Sequence, residues 1–180
     1  MMHCILQIVV LSLLCGLCGC SKTPQPPLSD EQYLAKWRNA ELDQDISHEG
    51  GTWHFDFQTV RLFRINWDDQ YTMRHMLTDG ELNDTRVPLD GITLTDAQVR
   101  QLEAAVTGTH TDVGIGLCIY PHHAFVFYDA EDQIVGTIDL CFLCNSFHAK
   151  PNGYARNWDV LFIAELIHDT GMPLRNPSWE

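Results

Sequence analysis

Hydrophobic and polar positions divide the chain into segments of different period. Residues 4–18 form an apolar run interrupted by Gln7 and Ser12. The run has the length of the apolar stretch of a secretory leader and is short for a bilayer-crossing helix. Ser21-Lys22-Thr23-Pro24-Gln25-Pro26-Pro27 follows, and its prolines and small polar residues favour an extended spacer over a packed element. Ser29-Asp30-Glu31-Gln32 has the form of a capping box. Tyr33, Leu34, Trp37 and Ala40 then recur at helical spacing, which predicts a helix over about 30–43. His48-Glu49-Gly50-Gly51 breaks the pattern. Trp53, Phe55 and Phe57 alternate with His54, Asp56 and Gln58, and Phe63, Ile65 and Trp67 alternate with Arg64 and Asn66. Alternation of this kind predicts strands with one buried face. With the mixed segment 71–77 beyond the turn residues Asp68-Asp69-Gln70, two or three antiparallel strands are expected.

The polar stretch 79–91, containing Pro88 and Gly91, reads as a loop. Thr95-Asp96-Ala97-Gln98 is a second capping box, opening a helix to about Val106 whose buried side carries Ala97, Val99, Leu102 and Val106. The densest apolar region is 113–144. Residues 117–128 and 134–143 flank the polar turn Ala130-Glu131-Asp132-Gln133 and predict a β-hairpin of two central strands. Trp158, Leu161, Phe162, Leu166 and Ile167 mark a last helix, ended by Gly171 and Pro173. The expected fold class is α+β: an antiparallel sheet built around this hairpin, with about three helices packed on one face. The expected organisation is a leader over 1–19, a tether over 20–29 and one globular domain over 30–180.

Charge and the end of the leader narrow the setting. Lys and Arg number 11 against 24 Asp and Glu, a formal net charge of −13, and every charged residue lies beyond the apolar run. Nucleic acid and anionic headgroups need a basic footprint, so neither is an expected partner of the domain. The acidic residues are dispersed, as at Asp68-Asp69 and Glu131-Asp132, and read as a solvated surface. Leu17-Cys18-Gly19-Cys20 resembles the lipobox of bacterial lipoproteins, which implies palmitate-type acylation at Cys20 and a membrane-anchored mature chain starting there. The chain departs from the pattern in lacking Lys or Arg in Met1-Met2-His3 and in carrying Cys18 before Gly19. A cleaved signal or an uncleaved anchor are the alternatives, and all three place the domain outside the cytoplasm. Ser21, with no Asp at the second mature position, favours an outer membrane facing the periplasm where the source has one.

The candidate chemistry is concentrated in the hairpin, which holds Cys118, Cys141 and Cys144. Pairing Asp129 with Gln133 and continuing that register sets Cys118 opposite Cys144 and His122 opposite Leu140, so a Cys118–Cys144 bridge is geometrically open. Cys141 and Cys144 in one continuing strand would lie roughly 10 Å apart and face opposite ways. The three thiolates with His122 or His123 also make a zinc ligand set. Exported chains favour disulfides, and Phe142 and Leu143 are bulky for a zinc knuckle. Disulfide, metal site and buried thiols all remain open. His122, His123 and His148 are each a possible ligand or base, or a histidine satisfied by hydrogen bonds such as one to Asp139 or Tyr128. Cys141, His123 and Asp139 supply the residue types of a nucleophilic triad without a surrounding signature, and their apolar flanks raise a thiol pKa. No nucleotide-loop, zinc-protease or EF-hand motif occurs.

Cys118-Ile119-Tyr120-Pro121-His122-His123-Ala124, then Phe127-Tyr128-Asp129, then Cys141-Phe142-Leu143-Cys144, resembles a group of uncharacterised bacterial proteins, often lipoproteins. There a Cys precedes a Pro-Arg-His triplet, a strand ends in Phe-Tyr-Asp, and Cys-Phe-x-Cys closes the hairpin. His122 stands where Arg is common. The resemblance implies that the hairpin and its cysteines act as a unit, and implies no activity. The functional expectation is a lipid-anchored envelope protein serving as a non-catalytic interaction or structural module. The alternative is a metal-binding, zinc, or thiol-redox module on Cys118, Cys141, Cys144 and His122 or His123.

Overall fold

The computed structural model describes residues 28–38, 47–48, 56–111, 119–151 and 158–179. Along the chain these form α1 (Asp30–Arg38), β1 (Ser47–His48), β2 (Thr59–Arg64), β3 (Leu77–Thr78), β4 (Glu81–Leu82), β5 (Val87–Thr93), α2 (Asp96–Thr107), β6 (His110–Thr111), β7 (His123–Tyr128), β8 (Ile134–Cys141), β9 (Ser146–Lys150) and α3 (Val160–Asp169). The expected α+β class is observed. A five-stranded antiparallel sheet runs in the order β5-β2-β7-β8-β9, with two-stranded pairings β1-β6 and β3-β4 beside it.

The helices form where the sequence supplies both a cap and an apolar stripe. At α2, Thr95 Oγ1 accepts from the Gln98 N–H while Gln98 Oε1 accepts from the Thr95 N–H, so two otherwise orphaned donors are satisfied. The helix buries Leu102, Ala105 and Val106; Ala97, expected inside, is exposed. Asp159 caps α3 by accepting from the Phe162 N–H at 2.8 Å. Trp158, expected within that helix, instead precedes it and stacks on Phe147 with ring centroids 3.5 Å apart. Helix α3 contacts both α1 and α2. Residues 39–46, where the first predicted helix would continue, lie outside the described residues.

The strands divide their side chains between two faces. Val60, Leu62, Phe125, Phe127, Ile138, Leu140 and Ala149 join Leu34, Leu102, Ile163 and Ile167 in the main core, under the helices. Phe63, Ile65, Ala124, Val126 and Tyr128 point the other way and form a smaller cluster with Met76. The predicted alternation of Phe63 and Ile65 holds, but β2 ends at Arg64, and Asn66 turns the chain at φ 53°. The strand predicted over 53–58 lies outside the described residues up to Phe55, and Asp56–Gln58 precedes β2 without being strand.

The structure corrects the sequence reading in two further places. Residues 79–91, expected as a loop, contain β4 and most of β5. Strand β5 is an edge strand with most side chains in solvent, so it carries neither an apolar run nor clean alternation, and an edge tolerates Pro88. Gly91 has φ +71°, and an added Cβ would lie 2.6 Å from Phe63 Cζ, so this position requires glycine. The predicted second hairpin strand, 134–143, stops at Cys141. A turn over 142–145, with Asn145 at φ 49°, returns the chain as β9 and pairs Cys141 with Ser146.

The hairpin register also differs. Asp129 donates to Gln133 O at 3.0 Å, as the turn reading requires, and Tyr128 pairs with Ile134. Phe127 then pairs with Gly136, leaving Val135 as an extra residue. This bulge shifts every later pair by one, so His123, not His122, lies opposite Leu140.

Candidate metal centre

Asp139 lies on β8 between Ala124 of β7 and His148 of β9. Directly paired residues share a face, so Asp139 and His148 project together on the side away from the helices. The chain between β2 and β5 crosses that side and is held by buried amides rather than by a large apolar surface. Asn66 Nδ2 donates to the carbonyls of Arg74 and Pro121, and Asn83 Nδ2 donates to Asn66 Oδ1 and the His75 carbonyl. Thr85 Oγ1 donates to Asn83 Oδ1 at 2.7 Å and accepts from the Asn66 N–H at 2.8 Å. This network delivers His75 and Met76 to Asp139.

The Asp139 side chain is only 1% exposed. Its Oδ1 accepts from the Met76 N–H at 3.2 Å, and Oδ2 lies 2.6 Å from His75 Nδ1, which donates when the carboxylate is ionised. His148 Nδ1 is 3.9 Å from the same Oδ2, beyond hydrogen-bond reach, and makes no hydrogen bond among the described residues. The two imidazoles stand 4.3 Å apart between centroids at 37°. Burial pushes the His148 pKa below its ordinary value. Neighbouring His75 adds to the shift, Asp139 opposes it and Lys150 lowers it further. A neutral imidazole with an unused nitrogen beside a buried carboxylate is the form that ligates metal.

One ligand atom from each of His75, Asp139 and His148 lies within 4.8 Å of the other two. Zinc ligands sit about 2.0 to 2.2 Å from the ion, hence roughly 3.3 Å from one another in a tetrahedron. The 2.6 Å gap would open and the 3.9 Å gap would close, each by less than about 1 Å. Both histidine side chains are about one-third exposed, while His148 Nδ1 and the Asp139 carboxylate are themselves buried.

The residues singled out from sequence are placed differently. Cys20 and Cys118 lie outside the described residues. Cys141 is a buried free thiol, while Cys144 is buried in the β8–β9 turn and disulfide-bonded. His123 shares the helix-side face with Leu140, whereas Asp139 points to the opposite face, so Cys141, His123 and Asp139 do not assemble as a triad. His123 Nε2 donates to the Pro173 carbonyl at 2.9 Å, and complete burial holds its pKa at about 3. Burial likewise lowers His122 to about 4, partly offset by the Asp69 backbone and charge. Among the described residues, the group that converges as ligands contains neither of them. His148 and Asp139 were legible as candidates. His75 was not, since it lies in a mixed polar segment far along the chain from both partners. A scan of protein-family models and searches of curated proteins and of solved structures found no match to this chain.

Proposed function

We propose that the protein is a lipid-anchored envelope module whose domain reversibly binds a divalent transition metal, zinc suiting its donors best, through His75, Asp139 and His148. The observation that carries the reading is the convergence of two imidazoles on one buried carboxylate while His148 Nδ1 stays unpartnered. Nitrogen and carboxylate donors suit zinc, and three protein ligands leave a fourth position for water. The ion would tie the segment carrying His75 to strands β8 and β9. The lipobox-like Cys20 and the proline-rich tether support the anchored setting, and the acidic composition supports a role without nucleic acid.

The test is metal content and affinity of the exported full-length protein, purified without chelator. One zinc per chain is expected, with binding weakened by more than about 100-fold, the upper end for loss of an outer-shell partner, in His148→Gln and Asp139→Asn. Equal metal content in wild type and a His75→Gln/His148→Gln double variant rejects the assignment. Membrane fractionation of Cys20→Ser tests the anchor separately: the variant should leave the membrane fraction.

A second reading concerns the hairpin cysteines. With Cys144 bridged and Cys141 free, Cys118 is the partner proposed for Cys144, making the bridge a staple at the end of the hairpin. Intact mass of the non-reduced protein should show this bridge lost in Cys118→Ser and retained in Cys141→Ser.

A further inference from the structure

A separate cavity of about 260 Å³ opens on the side of the molecule where α1, the β8–β9 turn and the C-terminal segment meet. Its apolar walls are Tyr33, Phe142, Leu143, Leu174 and Trp179, and its polar groups are Gln70, His122 and Arg175. The aromatic walls are fixed in place. Tyr33 donates its hydroxyl to the Phe142 carbonyl at 2.9 Å. Trp179 packs on His122 at 4.0 Å and on Trp67 at 5.2 Å between ring centroids.

Two polar groups of this cavity have unused bonding capacity. His122 is 3% exposed, yet among the described residues its Nε2 has no hydrogen-bond partner. In the tautomer protonated at Nδ1, Nε2 is a lone-pair acceptor, and a buried acceptor left unpaired costs stability. Arg175 uses one of its donors on the Trp179 carbonyl at 2.7 Å and stands 5.9 Å from the Tyr33 ring. Among the described residues no carboxylate pairs with it. A guanidinium with spare donors at an apolar cavity suits a carboxylate.

We propose that this cavity binds a small aromatic carboxylate that also carries a hydroxyl. The ring lies between the aromatic walls, the carboxylate meets Arg175 and the hydroxyl donates to His122 Nε2. The volume falls just below the roughly 300 Å³ at which pockets begin to hold drug-sized molecules, so a one-ring ligand fits and a nucleotide does not. The ligand class follows from charge and hydrogen-bond complementarity at these residues and does not depend on the metal reading.

The experiment is a titration of the full-length protein, in mild detergent, with 4-hydroxybenzoate, followed by the indole N–H resonance of Trp179. That resonance is assigned by its loss in Trp179→Phe. Saturable binding is expected, weaker by about tenfold for benzoate and for 4-methylphenol, each of which lacks one of the two polar contacts. Arg175→Met should lower affinity for both acids about tenfold or more. His122→Phe should bind benzoate and 4-hydroxybenzoate equally, a loss of discrimination that a purely structural role of His122 does not produce. No saturation by about 10 mM overturns the proposal, as does unchanged affinity in Arg175→Met or a retained hydroxyl preference in His122→Phe. Should His122→Phe fail to fold, the three-ligand series and Arg175→Met decide the matter alone.

Discussion

The two faces of the five-stranded sheet are held by different physics. Under the helices, Leu62, Phe125, Phe127, Ile138 and Leu140 meet Leu34, Leu102, Ile163 and Ile167, so cohesion comes from apolar area and close packing. On the other face a smaller apolar cluster around Phe63, Ile65 and Met76 gives way, over β8 and β9, to Asp139 and His148. There the covering chain is attached by directional bonds among Asn66, Asn83, Thr85 and Asp139. The first face tolerates no loss of volume. The second depends on every polar partner being in place, and its chemistry follows from that.

Removing volume from the helix face should have the largest effect. Phe125 is fully buried near the middle of the sheet, so Phe125→Ala is expected to cost about 3 to 5 kcal/mol in denaturant unfolding. A cost under about 2 kcal/mol would mean that the helices collapse into the gap, and that the face is less rigidly packed than its complete burial implies. The loop face should respond instead to metal. Zinc at a hundred times its Kd should stabilise the wild type by about 2.7 kcal/mol. Phe125→Ala should gain as much, His148→Gln nothing. Equal stabilisation of His148→Gln would move the ion elsewhere in the molecule.

The contrast between the faces also explains how much was legible in the sequence. Helix α2 was readable from Thr95 and Gln98 together with Leu102 and Val106, because cap and stripe are local and repeat with the helical period. The turn at 130–133 was readable for the same reason. The bulge at Val135 was not, since one extra residue leaves no mark in an apolar strand, and yet it exchanged the faces of His122 and His123. Strand β5 was hidden by its exposure, and β9 by a turn whose residues Phe142 and Leu143 look like strand. Asp139 and His148 could be named but not paired until that turn was known. His75 joins them through Asn66 and Asn83, contacts made only in the folded chain.

Lowering pH should sharpen the comparison on the helix face. His123 is fully buried on that face with a native pKa of about 3, near His122 and Arg64 and bonded to the Pro173 carbonyl. The unfolded chain takes up a proton near pH 6.5, while the native state refuses it until about pH 3. Stability therefore falls as pH drops through this window and levels off below it. Between pH 7 and 5 the loss from His123 is on the order of 2 kcal/mol. His123→Leu should reduce the slope of unfolding free energy over that range by about half of what the two buried histidines contribute, since His122, held at about 4, keeps a similar share. An unchanged slope would assign the acid sensitivity to other groups.

The smallest effect distinguishes a local contribution to the helix face from a contribution to the site. Thr95 satisfies the Gln98 N–H at the start of α2, and α2 packs on the face away from Asp139. Thr95→Ala should cost about 1 kcal/mol, the usual value of a cap, because water replaces part of the lost bond at an exposed helix end. Zinc affinity should not change, since among the described residues no hydrogen bond links Thr95 or Gln98 to the segment carrying His75. If Thr95→Ala weakened zinc binding by tenfold, the two faces would be energetically coupled through the sheet, and the division between a packed face and a bonded one would fail.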